Sequence, residues 1–308
     1  MPEPEHQTRT AQAPTRVETP SGKGAGDENF PVGSWLLPAR LRPHVAKFYA
    51  FARAIDDIAD NPDLAAEDKV ARLTRFEAAV TGRDTGDPAL ATGHAMRMSL
   101  EQTGVTARHC LDLIAAFKQD AVKMRYRDWV DLMGYCELSA NPVGRYLLDL
   151  HGESIEGYPA SDALCSALQV INHLQDCQAD HRALDRVYLP LDWMAQAGVD
   201  VAELNAPDAS PGLRRVLDSC LEATTGLLPL ARTLPDRLRS PRLAMESAVI
   251  LRLAERLIGE LRGRDPLARR VVLSKPQVAA CTLKGVASVL AARALGLGRV
   301  PDPARQGP

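Results

Sequence analysis

Two short acidic stretches carry side chains at spacings that place them on one face of a helix. Asp56 and Asp60 lie four residues apart in AIDDIAD, and Asn172, Asp176 and Asp180 repeat that step in INHLQDCQAD. Because an α-helix turns once every 3.6 residues, each set forms a row along its helix. Like charges at this spacing cost a helix only about 0.2–0.5 kcal/mol, so the first pair alone is equally compatible with a solvated surface. The second row favours a shared chemical role.

Oxygen donors of this kind suit Mg²⁺, which binds through one or two carboxylates together with substrate phosphates. Two such rows facing each other across a bundle predict a diphosphate held through bridging metal ions, which neutralise the leaving group as its C–O bond breaks. Zinc ligation by His173 or His181 is a weaker alternative, because each lies about 100° around the helix from the row. A di-iron centre is weaker still, since the predicted helices contain no Glu-x-x-His motif.

Helices must position these rows, because apolar residues along most of the chain recur at spacings of three and four. Asn61-Pro62 predicts where the first helix ends, since the residue before proline avoids helical geometry. No segment shows sustained alternation with a period of two, so strands find little support. The pattern predicts an all-α bundle with short connections. The predicted helices are 43–60, 67–80, 89–103, 106–123, 128–138, 142–151, 161–180, 190–197, 211–231, 243–264 and 275–296.

The totals are those of an ordinary globular chain. The 308 residues carry a net charge of −2, which argues against nucleic-acid binding. Six scattered cysteines without a CxxC pair indicate reduced thiols and a cytoplasmic setting. No apolar run reaches the roughly 20 residues of a membrane span. Few large apolar residues and many Pro and Gly predict disorder over 1–26 and 299–308, which leaves one helical domain over 27–298.

With these motifs, the chain resembles the squalene and phytoene synthases, the head-to-head branch of the isoprenoid diphosphate synthases. FYAFARAIDDIAD resembles the first aspartate motif of that family, and INHLQDCQAD resembles its second, of form N-x-x-x-D-x-x-x-D. MRYRDWVDLMGYCELSANPVGRYLL resembles the central helix pair, and DRVYLP resembles the loop after the second motif. The resemblance spans about Asn29 to Leu295 and implies the isoprenoid synthase bundle around a central cavity, in agreement with the helical pattern.

The resemblance also implies roles for individual residues. Arg53, one turn before Asp56, would face the diphosphate, although it is equally placed to pair with Asp56 or Asp57 along the helix. Tyr126 would lie near the reacting carbons, although Tyr126 and Tyr188 are also compatible with core tyrosines. The implied catalytic set is Tyr126 with the magnesium ligands Asp56, Asp60, Asn172, Asp176 and Asp180. The implied substrate contacts are Tyr49, Arg53, Gln169, Gln175 and Tyr188.

Within the family, the chain most resembles the hydroxysqualene synthases of bacterial hopanoid pathways. The stretches ENFPVGSWLLP, SANPVGR and NHLQD carry this resemblance. Gln175 stands where condensing synthases usually have Arg, and because Arg is the better bidentate partner for phosphate, an altered diphosphate site is expected. The implied reaction is magnesium-assisted ionisation of presqualene diphosphate, rearrangement of the cation and capture by water, with release of diphosphate.

Two other functions stay open at this point. A dehydrosqualene- or phytoene-type synthase would condense two prenyl diphosphates, and a non-catalytic helical protein would bind a sister synthase through an exposed helix. No nicotinamide cofactor is expected, because no G-x-G-x-x-G follows a strand. The expected partners are a sister synthase and an oxidoreductase that consumes hydroxysqualene. The apolar substrate makes peripheral contact with the inner face of the cell membrane plausible, although core packing explains helix 243–264 better than an interfacial role.

Overall fold

The computed structural model describes residues 17–18 and 36–296, and within them the chain folds into an all-α bundle of twelve helices. The helices are α1 (Arg42–Ala59), α2 (Ala66–Val80), α3 (Ala91–Thr103), α4 (Arg108–Asp120), α5 (Trp129–Ser139), α6 (Asn141–Leu150), α7 (Tyr158–Leu184), α8 (Leu191–Ala197), α9 (Pro211–Ala231), α10 (Leu234–Arg237), α11 (Pro241–Gly263) and α12 (Lys275–Ala294). Each predicted helix is present within a few residues of its expected bounds. The four residues of α10 were not predicted, and α7 continues four residues beyond the predicted end at 180.

Local capping explains where several of these helices begin. Ser210 and Ser240 stand just before a proline, and each side-chain oxygen accepts a hydrogen bond from the backbone N–H three residues later. Asp128 caps α5 in the same way, through a 2.8 Å hydrogen bond from the backbone of Asp131. Such oxygens satisfy N–H groups that the first turn of a helix leaves unpaired, and proline at the first position costs no hydrogen bond.

The long helix α7 forms the centre of the bundle. It packs against α5, α6, α9 and α11, and its buried residues occupy more than one face. Ile171 and Leu174, which the pattern assigns to the core, are both almost fully buried. This position explains how one helix can supply core contacts on some faces and a row of polar side chains on another.

Helix α11 lies between α7, α9 and α12, with buried residues along its whole length. The core packing predicted for 243–264 is therefore confirmed. The contact with α12 is close because an added Cβ at Gly285 would lie 2.7 Å from the backbone nitrogen of Val249. No helix among the described residues is long and apolar enough to cross a membrane.

An isolated parallel β-bridge joins Arg125 to Val187. Within the described part of the chain, no β-strand forms. The backbone N–H of Val187 donates to the carbonyl of Met124 at 2.9 Å. This bridge brings the loop before α5 beside the loop after α7. It therefore places Tyr126 next to Tyr188, whose rings stack with centroids 5.4 Å apart.

The predicted disordered ends lie almost entirely outside the described residues. Val17 and Glu18 are the described residues of the 1–26 segment, and Val17 is buried against the bundle. Its carbonyl accepts a hydrogen bond from Arg72 at 3.1 Å. At these two positions the chain contacts α2 through Val17 and α3 through Glu18, whose carboxylate accepts from the backbone N–H of Thr92 at 3.4 Å.

Candidate active site

A cavity of about 410 Å³ runs between α1 and α7, and its wall changes from apolar to acidic along both helices. On α1 the wall begins at Val45 and Phe48 and ends at Asp56 and Asp60. Because these residues span 15 positions at 1.5 Å each, the change occurs over roughly 22 Å. Helix α7 repeats the gradient, from Leu164 and Leu168 through Asn172 to Asp176 and Asp180. The volume is within the roughly 300–1,000 Å³ typical of small-molecule sites.

The two acidic rows meet at the carboxyl-terminal halves of α1 and α7. Helix carbonyl ends already carry partial negative charge, so carboxylates there add to an unfavourable potential. The lining acidic and amide residues on these helices are Asp56, Asp60, Asn172, Asp176 and Asp180. Such a concentration of negative charge at one end of an apolar cavity attracts cations.

Three arginines from different parts of the chain currently neutralise this end. Arg53 binds Asp56 at 2.6 Å and Asp57 at 2.9 Å. Arg270, in the loop between α11 and α12, binds both carboxylate oxygens of Asp176, at 2.5 and 2.9 Å. The third, Arg186, joins the end of α7 to the end of α1.

Arg186 is 4% exposed, and its guanidinium donates to Asp60 at 2.5 Å and to the carbonyl of Ala59 at 2.8 Å. Burial alone would lower the pKa of Arg186, but the carboxylates of Asp120 and Asp60 outweigh it and raise the pKa above the usual value. A buried guanidinium of this kind is a fixed positive charge on the cavity wall.

The surroundings of the Asp56 carboxyl group disfavour its ionised form. Burial, together with the neighbouring carboxylate of Asp60, raises its pKa well above the usual value, although Arg53 opposes the shift. The side chain keeps a quarter of its surface exposed at the cavity. Additional positive charge at this position would stabilise the ionised form.

Asp120, at the end of α4, anchors a cluster of tyrosines on the cavity wall. The Tyr135 hydroxyl donates to it at 2.5 Å, and the Tyr188 hydroxyl donates to it at 3.3 Å. Burial raises the pKa of Asp120 to about 6, while Arg186 and the Tyr135 hydrogen bond oppose that shift. The hydroxyls are thereby directed toward Asp120, and the ring of Tyr188 is stacked by both His173 and Tyr126.

His173 lines the same wall, one residue after Asn172. Its ring stacks on Tyr188 with centroids 3.6 Å apart and an interplanar angle of 13°. Burial, followed by the charge of Arg186, lowers the pKa of His173 to about 3. The imidazole is therefore uncharged at neutral pH.

The structure brings most of the predicted site residues to one cavity. The predicted residues that line it are Tyr49, Arg53, Asp56, Asp60, Gln169, Asn172, Asp176, Asp180 and Tyr188. Asp57, expected about 100° away from the metal-facing row, is outside the lining and pairs with Arg53, as the helical geometry predicts.

Two predicted residues lie elsewhere. Tyr126 is buried behind Tyr188, against which its ring stacks, so it supports the wall and does not form it. Gln175 is buried on another face of α7, and its amide donates to the backbone carbonyl of Val271. This hydrogen bond anchors the loop before α12, and Gln175 is not among the residues that line the cavity.

The lining residues that were not assigned to the site from the sequence include Asp120, Tyr135, His173 and Arg186. Tyr135 belongs to MRYRDWVDLMGYCELSANPVGRYLL and Arg186 to DRVYLP, so both lie within stretches that the resemblance covers. His173 entered only as a weak zinc alternative. Asp120 carries no local signal, since a carboxylate near a helix end is ordinarily solvated.

The donor set fits divalent cations that prefer oxygen. The five row residues supply carboxylate and amide oxygens at one end of the cavity. Within 17–18 and 36–296, no three His, Cys, Asp or Glu side chains already converge as metal ligands. Three of the four row carboxylates are engaged with arginines instead.

Comparisons with known proteins agree with this geometry. The squalene/phytoene synthase family matches residues 24–277. The hydroxysqualene synthase of Rhodopseudomonas palustris is 42% identical over 287 residues, which cover 93% of this chain and 97% of that protein. The 15-cis-phytoene synthase of a Paracoccus species is 30% identical over 85% of this chain and 86% of its own. The crystal structure of squalene synthase HpnC from Alicyclobacillus acidocaldarius superposes with a TM-score of 0.61 at 30% identity, covering 86% of this chain and 88% of that one. The chain belongs to the squalene/phytoene synthase family.

Proposed function

We propose that the protein is a hydroxysqualene synthase that converts presqualene diphosphate and water into hydroxysqualene and diphosphate. The observation that carries this proposal is the cavity, which joins an acidic, arginine-lined end to a long apolar wall. Such a wall suits a C30 chain attached to a diphosphate. The 42% identity to a hydroxysqualene synthase over nearly the whole of both chains, against 30% to a phytoene synthase, favours this substrate over two prenyl diphosphates.

The two acidic rows would hold Mg²⁺, through Asp56 and Asp60 on α1 and through Asn172, Asp176 and Asp180 on α7. Bound there, magnesium ions supply electrophilic assistance to departure of the diphosphate. The oxygen-only donor set and the raised pKa of Asp56 support this assignment.

The arginines of the acidic end provide contacts for the diphosphate oxygens. Arg53 and Arg270 are partly exposed and reach the rows from opposite sides, and Arg186 is fixed between α1 and α7. Guanidinium groups bind such oxygens bidentately and carry charge at any working pH. They orient the leaving group so that the C–O bond breaks at the junction of the polar and apolar walls.

The remaining wall holds the carbocation and its chains. The ring of Tyr135, whose hydroxyl stays bound to Asp120, would stabilise positive charge through its π-electrons, while the ring of Tyr188 is stacked by His173 and Tyr126. Leucine and phenylalanine side chains from α1, α6, α7 and α11 enclose the hydrocarbon and limit the number of water molecules near the cation. The rearranged cation is then captured by one water.

The decisive experiment supplies purified protein with magnesium and presqualene diphosphate in the absence of a nicotinamide cofactor. We expect hydroxysqualene and diphosphate in equal amounts, and no reaction after chelation of the metal. Parallel reactions contain farnesyl or geranylgeranyl diphosphate alone. Turnover of either prenyl diphosphate without hydroxysqualene formation from presqualene diphosphate would instead identify a condensing synthase.

The reaction also implies partners. A sister synthase must supply presqualene diphosphate, and an oxidoreductase must consume hydroxysqualene, so we propose both as functional neighbours. Because the product is a C30 alcohol with little solubility in water, we further propose peripheral contact with the inner face of the cell membrane. The exposed side of α12 supports this contact, with Leu283 at 71% and Leu290 at 55% exposure beside Lys284.

A further inference from the structure

His173 combines three properties that none of the roles described above explains. It lines the cavity within one residue of the second acidic row, and only 7% of its surface is exposed. Its ring is fixed by stacking on Tyr188 at 3.6 Å and by a tilted contact with Tyr135 at 5.9 Å. Its Nε2 atom is buried and has no hydrogen-bond partner among the described residues.

An unpaired buried nitrogen is costly, because its desolvation is not compensated. The usual cost is about 1–3 kcal/mol, and phenylalanine would preserve the stacking without it. Native structures rarely keep such a group without a partner, unless the partner is a ligand or an ordered water. The imidazole therefore has a hydrogen-bonding capacity that the folded chain leaves unused at the cavity wall.

Several other polar groups on this part of the wall already have partners. The hydroxyls of Tyr135 and Tyr188 donate to Asp120, and the carboxylates of Asp56, Asp60 and Asp176 accept from arginines. Because His173 shares a helical turn with Asn172 and Asp176, it lies near the end of the cavity where the leaving group departs.

We propose that His173 positions the water molecule that captures the carbocation, an inference that rests on the proposed function. The buried Nε2 atom, which has no hydrogen-bond partner among the described residues, accepts a hydrogen bond from this water, which directs an oxygen lone pair toward the cationic carbon. The electron pair of the broken C–O bond leaves with the diphosphate. The water oxygen forms the new C–O bond, and one of its protons passes to the released diphosphate, so no oxidant or reductant is required.

The test measures how the cation is partitioned between products. Wild type and His173→Phe are supplied with magnesium and presqualene diphosphate in ¹⁸O-labelled water, and both diphosphate and the C30 products are quantified. We expect His173→Phe still to release diphosphate, while the hydroxysqualene fraction falls by about tenfold, a change equivalent to about 1.4 kcal/mol. Hydrocarbons formed by loss of a proton should replace the alcohol.

Matched variants separate a positioning role from a structural one. His173→Gln retains a hydrogen-bonding side chain and should recover part of the labelled alcohol, and His173→Leu provides a second apolar variant if phenylalanine impairs folding. An unchanged alcohol fraction in a folded apolar variant overturns the inference. Glu246 is a buried carboxylate elsewhere on the wall and serves as a comparison. A larger loss of alcohol in Glu246→Gln than in His173→Phe also overturns the inference.

The wild-type reaction distinguishes a failure of the proposed function from a failure of the role proposed for His173. Hydroxysqualene carrying ¹⁸O from the wild type supports the proposed function, whatever the variants do. A wild type that makes no hydroxysqualene overturns the proposed function and the role of His173 together. An alcohol from wild type with unlabelled oxygen overturns water capture, and with it the positioning of water by His173.

Discussion

Three aspartates at the end of α1 illustrate how much one residue of displacement matters. Asp56 and Asp60 line the cavity, whereas Asp57 is 11% exposed, lies outside the lining and pairs with Arg53. This separation follows from the 100° step between neighbouring residues, so it could be predicted from the sequence. The spacing along the helix also allowed Arg53 to pair with Asp56 or Asp57, and in the structure Arg53 pairs with both.

This geometry predicts unequal effects of removing each charge. Asp56→Asn or Asp60→Asn should lower kcat by about 100-fold or more, because each removes a charged group at the site of leaving-group departure. Asp57→Asn should cost about tenfold or less, since it weakens only the placement of Arg53. Steady-state kinetics of the three purified variants with presqualene diphosphate provides the measurement. Equal losses in all three would contradict the assignment.

Asp120 gives a prediction for stability. Its pKa is raised to about 6 in the folded protein, against about 3.9 in an unfolded chain, so the folded state binds a proton more readily between these values. The contribution of Asp120 to the free energy of unfolding should therefore increase as the pH falls from 7 to 4. Asn lacks this titration but still accepts hydrogen bonds.

Urea unfolding of wild type and Asp120→Asn across this pH range measures the effect. We expect the free energy of unfolding of wild type minus that of the variant to rise by about 1–3 kcal/mol between pH 7 and pH 4. Other titrating groups are common to both proteins and cancel in the difference. A difference that is independent of pH would show that Asp120 titrates normally.

At the scale of elements, the helices were predictable because their signals are local. Apolar spacing, Pro62 after α1 and the Ser-Pro starts of α9 and α11 all act within a few residues. The cavity wall depends on contacts between distant segments. Gln175 occupies a motif position yet faces Val271, and Tyr126 stands behind Tyr188 because of the bridge between their loops. No spacing rule contains that information.

The contact between α11 and α12 can be tested with two glycines. At Gly285 an added Cβ would lie 2.7–2.8 Å from backbone atoms of Val249, so Gly285→Ala should force the helices apart and cost about 1–3 kcal/mol. At Gly259 an added Cβ meets nothing within 4 Å, so Gly259→Ala should stabilise α11 by about 0.5–1 kcal/mol. Chemical denaturation of both variants should give shifts of opposite sign. Two shifts of the same sign would refute the close contact.

At the scale of the whole molecule, α12 presents an unusual exterior. Its exposed side carries Leu283, Leu290 and several alanines, and the helix contains Lys275, Lys284 and Arg293 but no acidic residue. Arg293 donates to the carbonyl of Leu238, a residue of the apolar cavity wall. The end of α12 therefore lies beside the part of the cavity that would hold hydrocarbon.

Peripheral membrane contact through this surface predicts a specific response to charge. Leu283→Glu/Leu290→Glu should reduce sedimentation with vesicles of phosphatidylglycerol and phosphatidylcholine, because it removes apolar contact and adds repulsion from anionic lipid. Turnover of substrate dispersed in detergent should change little. Glu222→Leu/Asp218→Leu on α9 serves as a control for altered surface charge. Sedimentation unaffected by the α12 changes would exclude this surface as the contact.

The arginine pairs over the acidic rows have a consequence for how ligands enter. A metal ion that binds both carboxylate oxygens of Asp176 displaces Arg270, and a displaced guanidinium needs a new anion. Diphosphate provides that anion. The magnesium ion then binds the carboxylate, and the diphosphate binds the arginine that the carboxylate has released. The binding equilibria are then linked, and diphosphate must tighten magnesium binding by the same factor by which magnesium tightens diphosphate binding. Without diphosphate, the enzyme should therefore bind magnesium weakly. Bound substrate should increase its affinity for magnesium.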